Sequence, residues 1–374
     1  MKVLVPLGTR PEIVKLAPVV AALRAAALDV RVVATGQHHD AALSDDFFRD
    51  LNLLPDIQWS LEGGDTARLG QLLQSACEVV AHEAPDVVLV LGDTYTVPIF
   101  CLAARRATTP IVHLEAGLRS RNPTSMEEVD RRVAGALASL HLAPTELAAK
   151  FLRDEGVPEE RIRVIGNPII DVLRVSGVER RAVADRDGVV VTAHRATNVD
   201  DPVRLAALVQ LVHRLRDEVG PVTFPVHPRT QHRLDAAGLH EAFDQPGIRA
   251  VPPLRWREML EVIASSRVVV TDSGGLQEEA SYFGVPVVVL RRSTPRWEGV
   301  VAGTSVLTGL DVDRAVAEAQ RLTEPDAQHR IAATACPYGD GHTATRVAAL
   351  LTDADVLPLL ELSEPDFVDE PPPC

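Results

Sequence analysis

Thr271-Asp272-Ser273-Gly274-Gly275-Leu276-Gln277-Glu278-Glu279 has the pattern of a buried strand that turns into a helix. The β-branched run Val268-Val269-Val270 precedes it, and the Ser-Gly-Gly turn opens a helix-forming segment. Such a junction leaves backbone N–H groups without partners at the positive end of a helix, where a phosphate or diphosphate binds well. Glu278 or Glu279, about one turn into the helix, could reach ribose hydroxyls. The stretch therefore predicts half of a sugar-nucleotide site.

Short apolar runs alternate with amphipathic helical segments along the chain. The first series of predicted strands is Lys2 to Leu7, Val30 to Thr35, Asp86 to Leu91, Ile111 to Leu114, Leu140 to Ala143 and Arg163 to Ile165. The second series is Gly188 to Thr192, Val222 to Val226, Ile248 to Val251, Val268 to Thr271 and Val285 to Leu290. Strands that are buried on both faces and separated by helices form parallel sheets. The sequence predicts an α/β protein with two Rossmann-like, doubly wound domains facing a central cleft.

The domain boundary is expected between Gly166-Asn167-Pro168 and Gly188, where turn residues and a charged helix intervene. We assign residues 1–167 to the N-terminal domain and residues 168–342 to the C-terminal, nucleotide-binding domain. Residues 343–360 carry a last helix, Thr343 to Leu351, that could cross back to the first domain. Residues 361–374 form an acidic, proline-rich tail that we expect to be disordered.

Composition argues against several classes of protein. The net charge of −14, from 52 acidic and 38 basic residues, argues against general affinity for nucleic acid or anionic membranes. The four cysteines form no C-x-x-C pair, so neither a zinc site nor a disulfide framework is expected. The chain starts in a strand pattern without a signal peptide, and no apolar run has the length of a membrane span. We therefore expect a cytoplasmic protein.

The first strand ends in the motif Gly8-Thr9-Arg10-Pro11-Glu12, and Lys15 follows in the next helix. Gly8 permits a tight turn, and the guanidinium of Arg10 offers a fork of donors suited to phosphate. The motif is not the G-x-G-x-x-G fingerprint, so NAD binding is not indicated. An ordinary strand–helix turn with a surface arginine accounts for the pattern equally well.

Carboxylates follow two further strands and one loop. Asp93 follows the strand that ends at Leu91, Glu115 follows the one that ends at Leu114, and Glu127-Glu128 come after a loop rich in Arg, Asn and Pro. Carboxylates gathered in one cleft can hold different pKa values and divide acid and base roles. For each acid alone the alternatives stay open: Asp93 could cap a helix, and Glu115 could pair with Arg119 or Arg121.

Cationic residues follow strands of the second series. His194-Arg195 comes after the strand that ends at Thr192 and could bind a leaving diphosphate or supply a proton. His227 occupies the same position after the next strand, where we favour a structural role. The segment from Leu290 to Gly299 adds arginines and hydroxyls near the cleft. His38-His39-Asp40 is not expected to bind metal, because adjacent side chains diverge and no third ligand has suitable spacing.

Together these motifs resemble the non-hydrolysing UDP-N-acetylglucosamine 2-epimerases, a family with the GT-B architecture. They occur in family order and span nearly the whole chain. The segments that carry the resemblance are Gly8 to Glu12 with Lys15, Thr35 to His38, Gly92 to Thr94, Glu115 to Arg119, Glu127-Glu128 with Arg131, His194-Arg195, Pro225 to Pro228, Thr271 to Glu279, Glu298-Gly299 and Pro337 to Gly341.

The resemblance implies reversible conversion of UDP-N-acetylglucosamine to UDP-N-acetylmannosamine without NAD, another cofactor or a metal. UDP is eliminated across C1–C2, 2-acetamidoglucal stays bound, and UDP adds back while a proton reaches the other face of C2. The implied partners are a small-molecule UDP-sugar and a second copy of the chain, which would form a homodimer through the first domain.

Roles for individual residues are implied in the same way. The proton-transfer carboxylates would be Asp93, Glu115 and Glu127, and His194 would assist the departing diphosphate. The substrate contacts would come from Arg10, Lys15, Arg131, Ser273, Gly274, Gly275, Glu279 and Arg296.

The chain also departs from the family pattern. Asp130 stands where asparagine is usual, Trp297 replaces a proline, and Trp256 and Met259 stand where Tyr and Phe are typical near the uracil. The alternative functions are a hydrolysing epimerase, a GT-B glycosyltransferase and a catalytically silent UDP-sugar sensor. The cluster of acids favours proton transfer over glycosyl transfer.

Overall fold

The structure, a computed structural model, describes residues 1–37, 48, 51, 53–239 and 241–362, and within them the strands form two parallel sheets. The strands of the first sheet are β1 (Lys2–Leu7), β2 (Asp29–Ala34), β3 (Ile57–Gln58), β4 (Val87–Leu91), β5 (Ile111–Leu114), β6 (Leu140–Ala143) and β7 (Ile162–Val164). Those of the second are β8 (Val189–Thr192), β9 (Val222–Pro225), β10 (Ile248–Val251), β11 (Val268–Thr271), β12 (Val287–Val289) and β13 (Ser305–Leu307). The strand orders are β3-β2-β1-β4-β5-β6-β7 and β10-β9-β8-β11-β12-β13.

Helices connect the strands within each sheet. Those of the first half are α1 (Arg10–Ala25), α2 (Asp65–Glu83), α3 (Thr96–Arg106), α4 (Met126–Leu137) and α5 (Glu146–Asp154). Those that follow are α6 (Pro168–Val175), α7 (Ala196–Val199), α8 (Pro202–Glu218), α9 (Pro228–Ala236), α10 (Trp256–Ser265), α11 (Gly274–Phe283), α12 (Trp297–Val301), α13 (Val312–Thr323), α14 (Pro325–Ala333) and α15 (Thr343–Leu350). Short 3-10 turns occupy Glu159–Arg161, Val183–Asp185 and Leu357–Leu360.

Alternate residues of the central strand β1 enter different hydrophobic cores. Val3, Val5 and Leu7 pack with side chains of α1 and α15, whereas Leu4 packs with side chains of α2 and α3. Successive side chains of a strand point to opposite faces, so the sheet is covered on both faces. Strand β8 divides its side chains between two cores in the same way. The predicted α/β class with two doubly wound parallel sheets is confirmed.

Most predicted strands differ from the observed ones only by a residue or two at their ends. The two short strands β3 and β13 are not among the predicted ones, and each lies at the edge of its sheet. Strands of two or three residues carry too few side chains to show a period, and they form because a neighbouring strand offers a free edge.

The helix α15 packs against α1, and its residues Ala344 and Val347 lie in the same core as β1. The carboxylate of Asp171 caps this helix by accepting from the backbone N–H groups of Thr343 at 3.1 Å and Ala344 at 2.9 Å. The residue bounds of the two domains stay a prediction. Residues 363–374 of the predicted tail lie outside the described residues. Within the described ranges, no helix has the length and apolar character needed to cross a membrane.

Candidate active site

The predicted site residues follow the carboxyl ends of strands in both sheets. Asp93 and Glu115 follow β4 and β5 of the first sheet, and His194 and Ser273 follow β8 and β11 of the second. Because parallel strands end at one edge of a sheet, each domain collects its polar side chains along a single edge. Hydrogen bonds between the domains bring these two edges together.

Buried charges of alternating sign run from the first domain to the second. Lys15 Nζ donates to Glu115 Oε1 at 2.5 Å and to Glu278 Oε2 at 3.2 Å. Arg296 Nε donates to Glu278 Oε1 at 2.8 Å, and Asn167 Nδ2 donates to the same oxygen at 3.1 Å. All five side chains are buried. Buried charges are stable only beside charges of opposite sign, so this alternation joins the domains at the site.

The pKa values of this network favour its charged form. Burial would lower the pKa of Lys15, but the carboxylates of Glu115 and Glu278 outweigh burial and raise it. Burial would raise the pKa of Glu278, but Arg296 and Lys15 lower it. For Arg296 the opposing charge of Glu278 likewise outweighs burial and raises the pKa. The site therefore keeps its buried cations charged at neutral pH.

The backbone of Glu115 is strained. Its φ of 63° lies in the left-handed region, which residues other than glycine rarely adopt. Such strain is common at functional sites, where the surrounding structure enforces it. The alternative pairing of Glu115 with Arg119 or Arg121 is wrong, because Glu115 pairs with Lys15, and Arg119 pairs with Glu155 at 2.6 Å.

Arg131 joins Asp93 to Glu128 in helix α4. Its guanidinium donates to the Asp93 carboxylate, and its Nη1 donates to Glu128 Oε2 at 3.1 Å. Burial would raise the pKa of Asp93, but the positive charges of Arg131 and Arg296 bring it below its ordinary value. Asp93 is therefore ionised at neutral pH and can accept a proton. The alternative role as a helix cap is wrong, because Tyr95 occupies the N-cap of α3.

The adjacent acids Glu127 and Glu128 have different surroundings. Glu128 is buried and accepts from both the backbone N–H, at 2.8 Å, and the hydroxyl, at 2.9 Å, of Ser120, so it fixes the loop. Glu127 is half-buried, accepts from Ser125 Oγ at 2.5 Å, and lies 3.4 Å from Arg195 Nη1 of the second domain. Of the two, Glu127 is the carboxylate that faces the cleft.

Asp130 adds a further carboxyl group one helical turn after Glu127. It is 9% exposed, and among the described residues no hydrogen bond or ion pair engages its side chain. Burial, reinforced by the charges of Asp93 and Glu127, raises its pKa to about 7. Burial acts on Glu127 too, but the Ser125 hydroxyl and Arg195 bring its pKa below the ordinary value. Protonated and ionised carboxyl groups therefore lie side by side near neutral pH, the arrangement that acid–base catalysis needs.

Asp272 orients His194. The fully buried carboxylate of Asp272 lies 3.1 Å from His194 Nδ1 and accepts from the backbone N–H of Arg195 at 2.9 Å and from Asn198 Nδ2 at 3.0 Å. Burial would raise the pKa of Asp272, but the hydrogen bond with His194 lowers it. The ring of His227 stacks on His194 with the ring centres 5.0 Å apart. A carboxylate on Nδ1 leaves the opposite ring nitrogen, Nε2, for a ligand.

The Ser-Gly-Gly turn has the geometry of an anion site. Helix α11 begins at Gly274, where an added Cβ would lie 3.3 Å from the guanidinium carbon of Arg296. A Cβ at Gly275 would meet nothing within 4 Å, so the backbone there borders open space. Ser273 directs its own N–H to the hydroxyl of Thr271 at 2.9 Å. The backbone N–H groups of the first turn of α11 are thus placed to bind a diphosphate.

Glu12 fixes the turn that carries Arg10. Its buried carboxylate accepts from the backbone N–H groups of Gly8 at 3.0 Å and Thr9 at 2.7 Å, and from Thr94 Oγ1 at 2.9 Å. Burial outweighs these hydrogen bonds and raises the pKa of Glu12 to about 7. Arg10, at the start of α1, has an exposed side chain on the turn that Glu12 holds.

Glu279, predicted to contact a ribose, is buried and accepts from Trp256 Nε1 at 3.1 Å. Burial raises its pKa to about 7, partly opposed by this hydrogen bond. The indole therefore fixes one carboxylate oxygen, and the other is left to accept from a ligand hydroxyl. Glu278, the other candidate for a ribose contact, is fully buried and engaged by Lys15 and Arg296.

Two further hydrogen bonds hold the domains together beside the site. Thr145 Oγ1 donates to Glu298 Oε1 at 2.5 Å, and Trp297 Nε1 donates to the backbone oxygen of Arg119 at 3.0 Å. Trp297 is one of the positions where the chain departs from the family pattern. Its indole supplies a contact between the domains that proline, which has no side-chain donor, cannot supply.

Sequence reasoning assigned no role to Glu12, Asn198, Asp272 or Asp130. Glu12, Asp272 and Asp130 belong to motifs identified in the sequence, and Asn198 follows His194-Arg195 by three residues, but only the fold shows what each side chain contacts. His38-His39-Asp40 lies outside the described residues. Among the residues that the structure does describe, no group of three or more His, Cys, Asp and Glu side chains is arranged to hold a metal ion. The catalytic and binding roles of the predicted residues stay predictions.

Comparison with known proteins identifies the relatives of this chain. The sequence profile of the UDP-N-acetylglucosamine 2-epimerase family matches residues 21–352. A UDP-2,3-diacetamido-2,3-dideoxy-D-glucuronate 2-epimerase of Pseudomonas aeruginosa is 34% identical over 366 residues, which cover 94% of this chain and 99% of that protein. A UDP-N-acetylglucosamine 2-epimerase of Methanocaldococcus jannaschii is 33% identical over 368 residues, with the same coverage.

The fold agrees with that relationship. The crystal structure of the Methanocaldococcus jannaschii enzyme in complex with UDP-GlcNAc and UDP superposes with a TM-score of 0.82 at 32% identity, covering 94% of this chain and 99% of that one. The resemblance inferred from the motifs is confirmed, together with the GT-B-like arrangement of two domains. The chain belongs to the UDP-N-acetylglucosamine 2-epimerase family.

Proposed function

We propose that the protein interconverts UDP-N-acetylglucosamine and UDP-N-acetylmannosamine by reversible elimination and re-addition of UDP. The observation that carries this proposal is the pairing of two sets of groups across the cleft. On the side of the first domain, the cleft is lined by carboxyl groups that differ in protonation state, Asp93, Glu127 and Asp130. On the side of the second domain it is lined by the Ser273–Gly275 turn, His194 and Arg296. The family relationship and the relative crystallised with UDP-GlcNAc and UDP support the choice of substrate.

Elimination requires the C1–O bond to break while C2 loses its proton. The bonding electrons leave with UDP, so negative charge develops on the diphosphate. The N–H groups of the Ser273–Gly275 turn, the guanidinium of Arg10 and the imidazole of His194 are assigned to bind that charge. Groups fixed in place before the reaction stabilise such charge strongly, because they need no reorganisation. Asp272 holds the His194 ring for this task.

Proton transfer at C2 needs an acceptor on one face of the sugar and a donor on the other. Asp93, Glu115 and Glu127 are the assigned acids. Asp93 is held by Arg131, Glu115 by Lys15 and Glu127 by Ser125. Each of the three carboxylates is therefore positioned by a different residue. An ionised carboxylate would remove the proton from one face, a second carboxyl group that has taken a proton from solvent would deliver it to the other face, and release of the first proton to solvent would restore both groups, so that C2 is inverted. No cofactor or metal takes part in the proposed reaction.

The contacts between the domains would keep the intermediate in place. The Lys15–Glu278, Thr145–Glu298 and Trp297–Arg119 contacts close the cleft beside the site. A closed cleft prevents loss of the glucal and of UDP before they recombine. We also propose that the protein is a homodimer located in the cytoplasm, as expected from the sequence.

Proton NMR of the protein with UDP-N-acetylglucosamine in D₂O tests the function. We expect UDP-N-acetylmannosamine to appear with deuterium at C2, and UDP with free sugar to stay at trace level. Net release of UDP and free sugar would instead identify a hydrolysing epimerase. Transfer to an added acceptor without deuterium at C2 would identify a glycosyltransferase. Binding of the nucleotide sugar without any turnover would identify a sensor.

A further inference from the structure

A cavity lies at the edge of the second sheet where the strands have their carboxyl ends. It borders the segments that follow β12 and β13 and the start of helix α13, and its volume is about 550 Å³. The charged side chains that line it are Arg204, Arg291, Arg292, Arg314 and Asp311. The carboxyl ends of parallel strands are where open α/β sheets bind ligands. A volume of this size matches small-molecule sites, which occupy roughly 300–1,000 Å³.

The arginines of this cavity, which we name the arginine cavity, lack acidic partners. In the part of the chain that the structure describes, no hydrogen bond or ion pair engages the guanidiniums of Arg291, Arg292 and Arg314. Arg204 donates to neutral acceptors, the backbone oxygen of Thr197 and the side-chain oxygen of Asn198.

The carboxylate in the cavity does not neutralise this charge. Asp311 is the N-cap of α13, and its Oδ1 accepts from the backbone N–H of Arg314 at 3.0 Å. Four guanidiniums therefore share the cavity with one carboxylate that is already engaged. Burial and the charges of Arg195 and Arg296 lower the pKa of Arg291 to about 10. Like charges held together without a counter-ion repel, and a bound anion would remove that repulsion.

We propose that the arginine cavity binds a small anion that carries a phosphate or carboxylate group, at a site distinct from the Ser273–Gly275 turn. Planar guanidiniums donate paired hydrogen bonds to both kinds of group. The start of α13, a helix of twelve residues, adds the positive end of its dipole.

Two sources could supply this anion. The first is a free metabolite. The second is a charged substituent on the hexose of a bound UDP-sugar, because Arg291 links the cavity to the candidate active site. The charges of Glu127 and Arg131, which belong to the first domain's side of the cleft, act on the pKa of Arg291. A ligand in the cavity would therefore sit within electrostatic reach of the proton-transfer groups.

The test compares the double variant Arg292→Gln/Arg314→Gln with the double variant Arg257→Gln/Arg321→Gln. Both remove two positive charges from helices or loops of the second domain. Arg257 and Arg321 are exposed and form only surface pairs with Glu261 and Glu318, so they serve as the matched control. Calorimetry measures binding of inorganic phosphate to protein saturated with UDP. We expect wild type and control to bind phosphate, and the Arg292/Arg314 variant to bind at least about tenfold more weakly.

A second arm separates the two sources. UDP-glucuronate and UDP-glucose differ in the carboxylate at C6, and their affinities are compared in wild type and in both variants. If the hexose substituent fills the cavity, UDP-glucuronate binds more tightly than UDP-glucose to wild type, and the Arg292/Arg314 variant loses that preference. If a free anion fills it, the two sugars bind alike and phosphate still binds beside UDP.

Two results would overturn the proposal. One is a wild-type protein that neither binds phosphate beside UDP nor prefers UDP-glucuronate. The other is an Arg292/Arg314 variant that binds as well as the control variant in both arms. Both arms measure binding, so either result would leave the proposed epimerase reaction untouched.

Discussion

Lys15 Nζ in the first domain donates to Glu278 Oε2 in the second at 3.2 Å, across 263 positions of the sequence. The same ammonium lies 2.5 Å from Glu115 Oε1. A single buried cation therefore connects a predicted acid of the first domain to the helix that opens from the Ser-Gly-Gly turn. Lys15 therefore contributes to the stability of the fold, to the contact between the two domains and to the proposed chemistry.

Replacing Lys15 with methionine should destabilise the protein by about 3–5 kcal/mol, because it removes the ion-pair partner of the buried Glu115 and leaves the buried Glu278 with Arg296 alone. Urea unfolding measures the effect. Lys150→Met is the control, because Lys150 is exposed and makes only a surface pair with Asp154. Equal midpoints for the two variants would show that the buried network does not support the fold.

Asp93→Asn and Glu115→Gln should each lower turnover by at least about two orders of magnitude, the usual scale for lost acid–base groups. Both substitutions keep the shape of the side chain and remove its ability to accept a proton. Steady-state kinetics with UDP-N-acetylglucosamine measure kcat, and UDP affinity reports on folding of the site. Near-normal turnover in either variant would exclude that residue from proton transfer.

Asp272→Asn should reduce kcat by about 100-fold or more while UDP still binds, because the amide cannot hold His194 as the carboxylate does. His227→Asn is the comparison. Asparagine can still cap α9, where His227 Nδ1 now accepts from the backbone N–H of Arg229 at 3.2 Å. We expect that variant to keep kcat within about tenfold. The assignment of His194 fails if Asp272→Asn turns over like wild type.

The contribution of Asp130 to the stability of the unliganded protein should fall as pH rises from about 4 to 7. Asp130 has a pKa of about 7 in the folded protein, against about 3.9 in an unfolded chain. Between those values only the folded state holds the proton, so each rise in pH favours unfolding. Asp130→Asn removes this contribution, so the urea midpoint of the wild type should fall relative to that of the variant between pH 5 and pH 8. A difference between the two midpoints that stays constant with pH would contradict the raised pKa.

The sequence predicts those strands and helices whose own residues show a clear hydrophobic pattern. Runs such as Val87–Leu91 are β-branched or apolar throughout and lie between helical segments, which identifies buried parallel strands. The edge strands Ile57–Gln58 and Ser305–Leu307 could not be predicted, because their formation depends on a neighbouring strand.

The candidate site, too, could be predicted from the sequence only in part. A polar residue directly after a strand, such as Asp93, can be placed at the sheet edge from the sequence. Its partner cannot, because Arg131 comes from a helix 38 positions away. Adjacent acids are a second limit, since neighbours on a helix point about 100° apart. The sequence does not indicate that the side chain of Glu128 is buried whereas that of Glu127 faces the cleft.

The central claim is that the bond between C1 of the sugar and UDP breaks and re-forms within the closed cleft. UDP-N-acetylglucosamine labelled with ¹⁸O in the oxygen that bridges C1 and the β-phosphorus tests it directly. If UDP departs and returns, the label moves to non-bridging positions of the β-phosphate during turnover, and ³¹P NMR detects this movement. Epimerisation with the label fixed in the bridge would contradict the account.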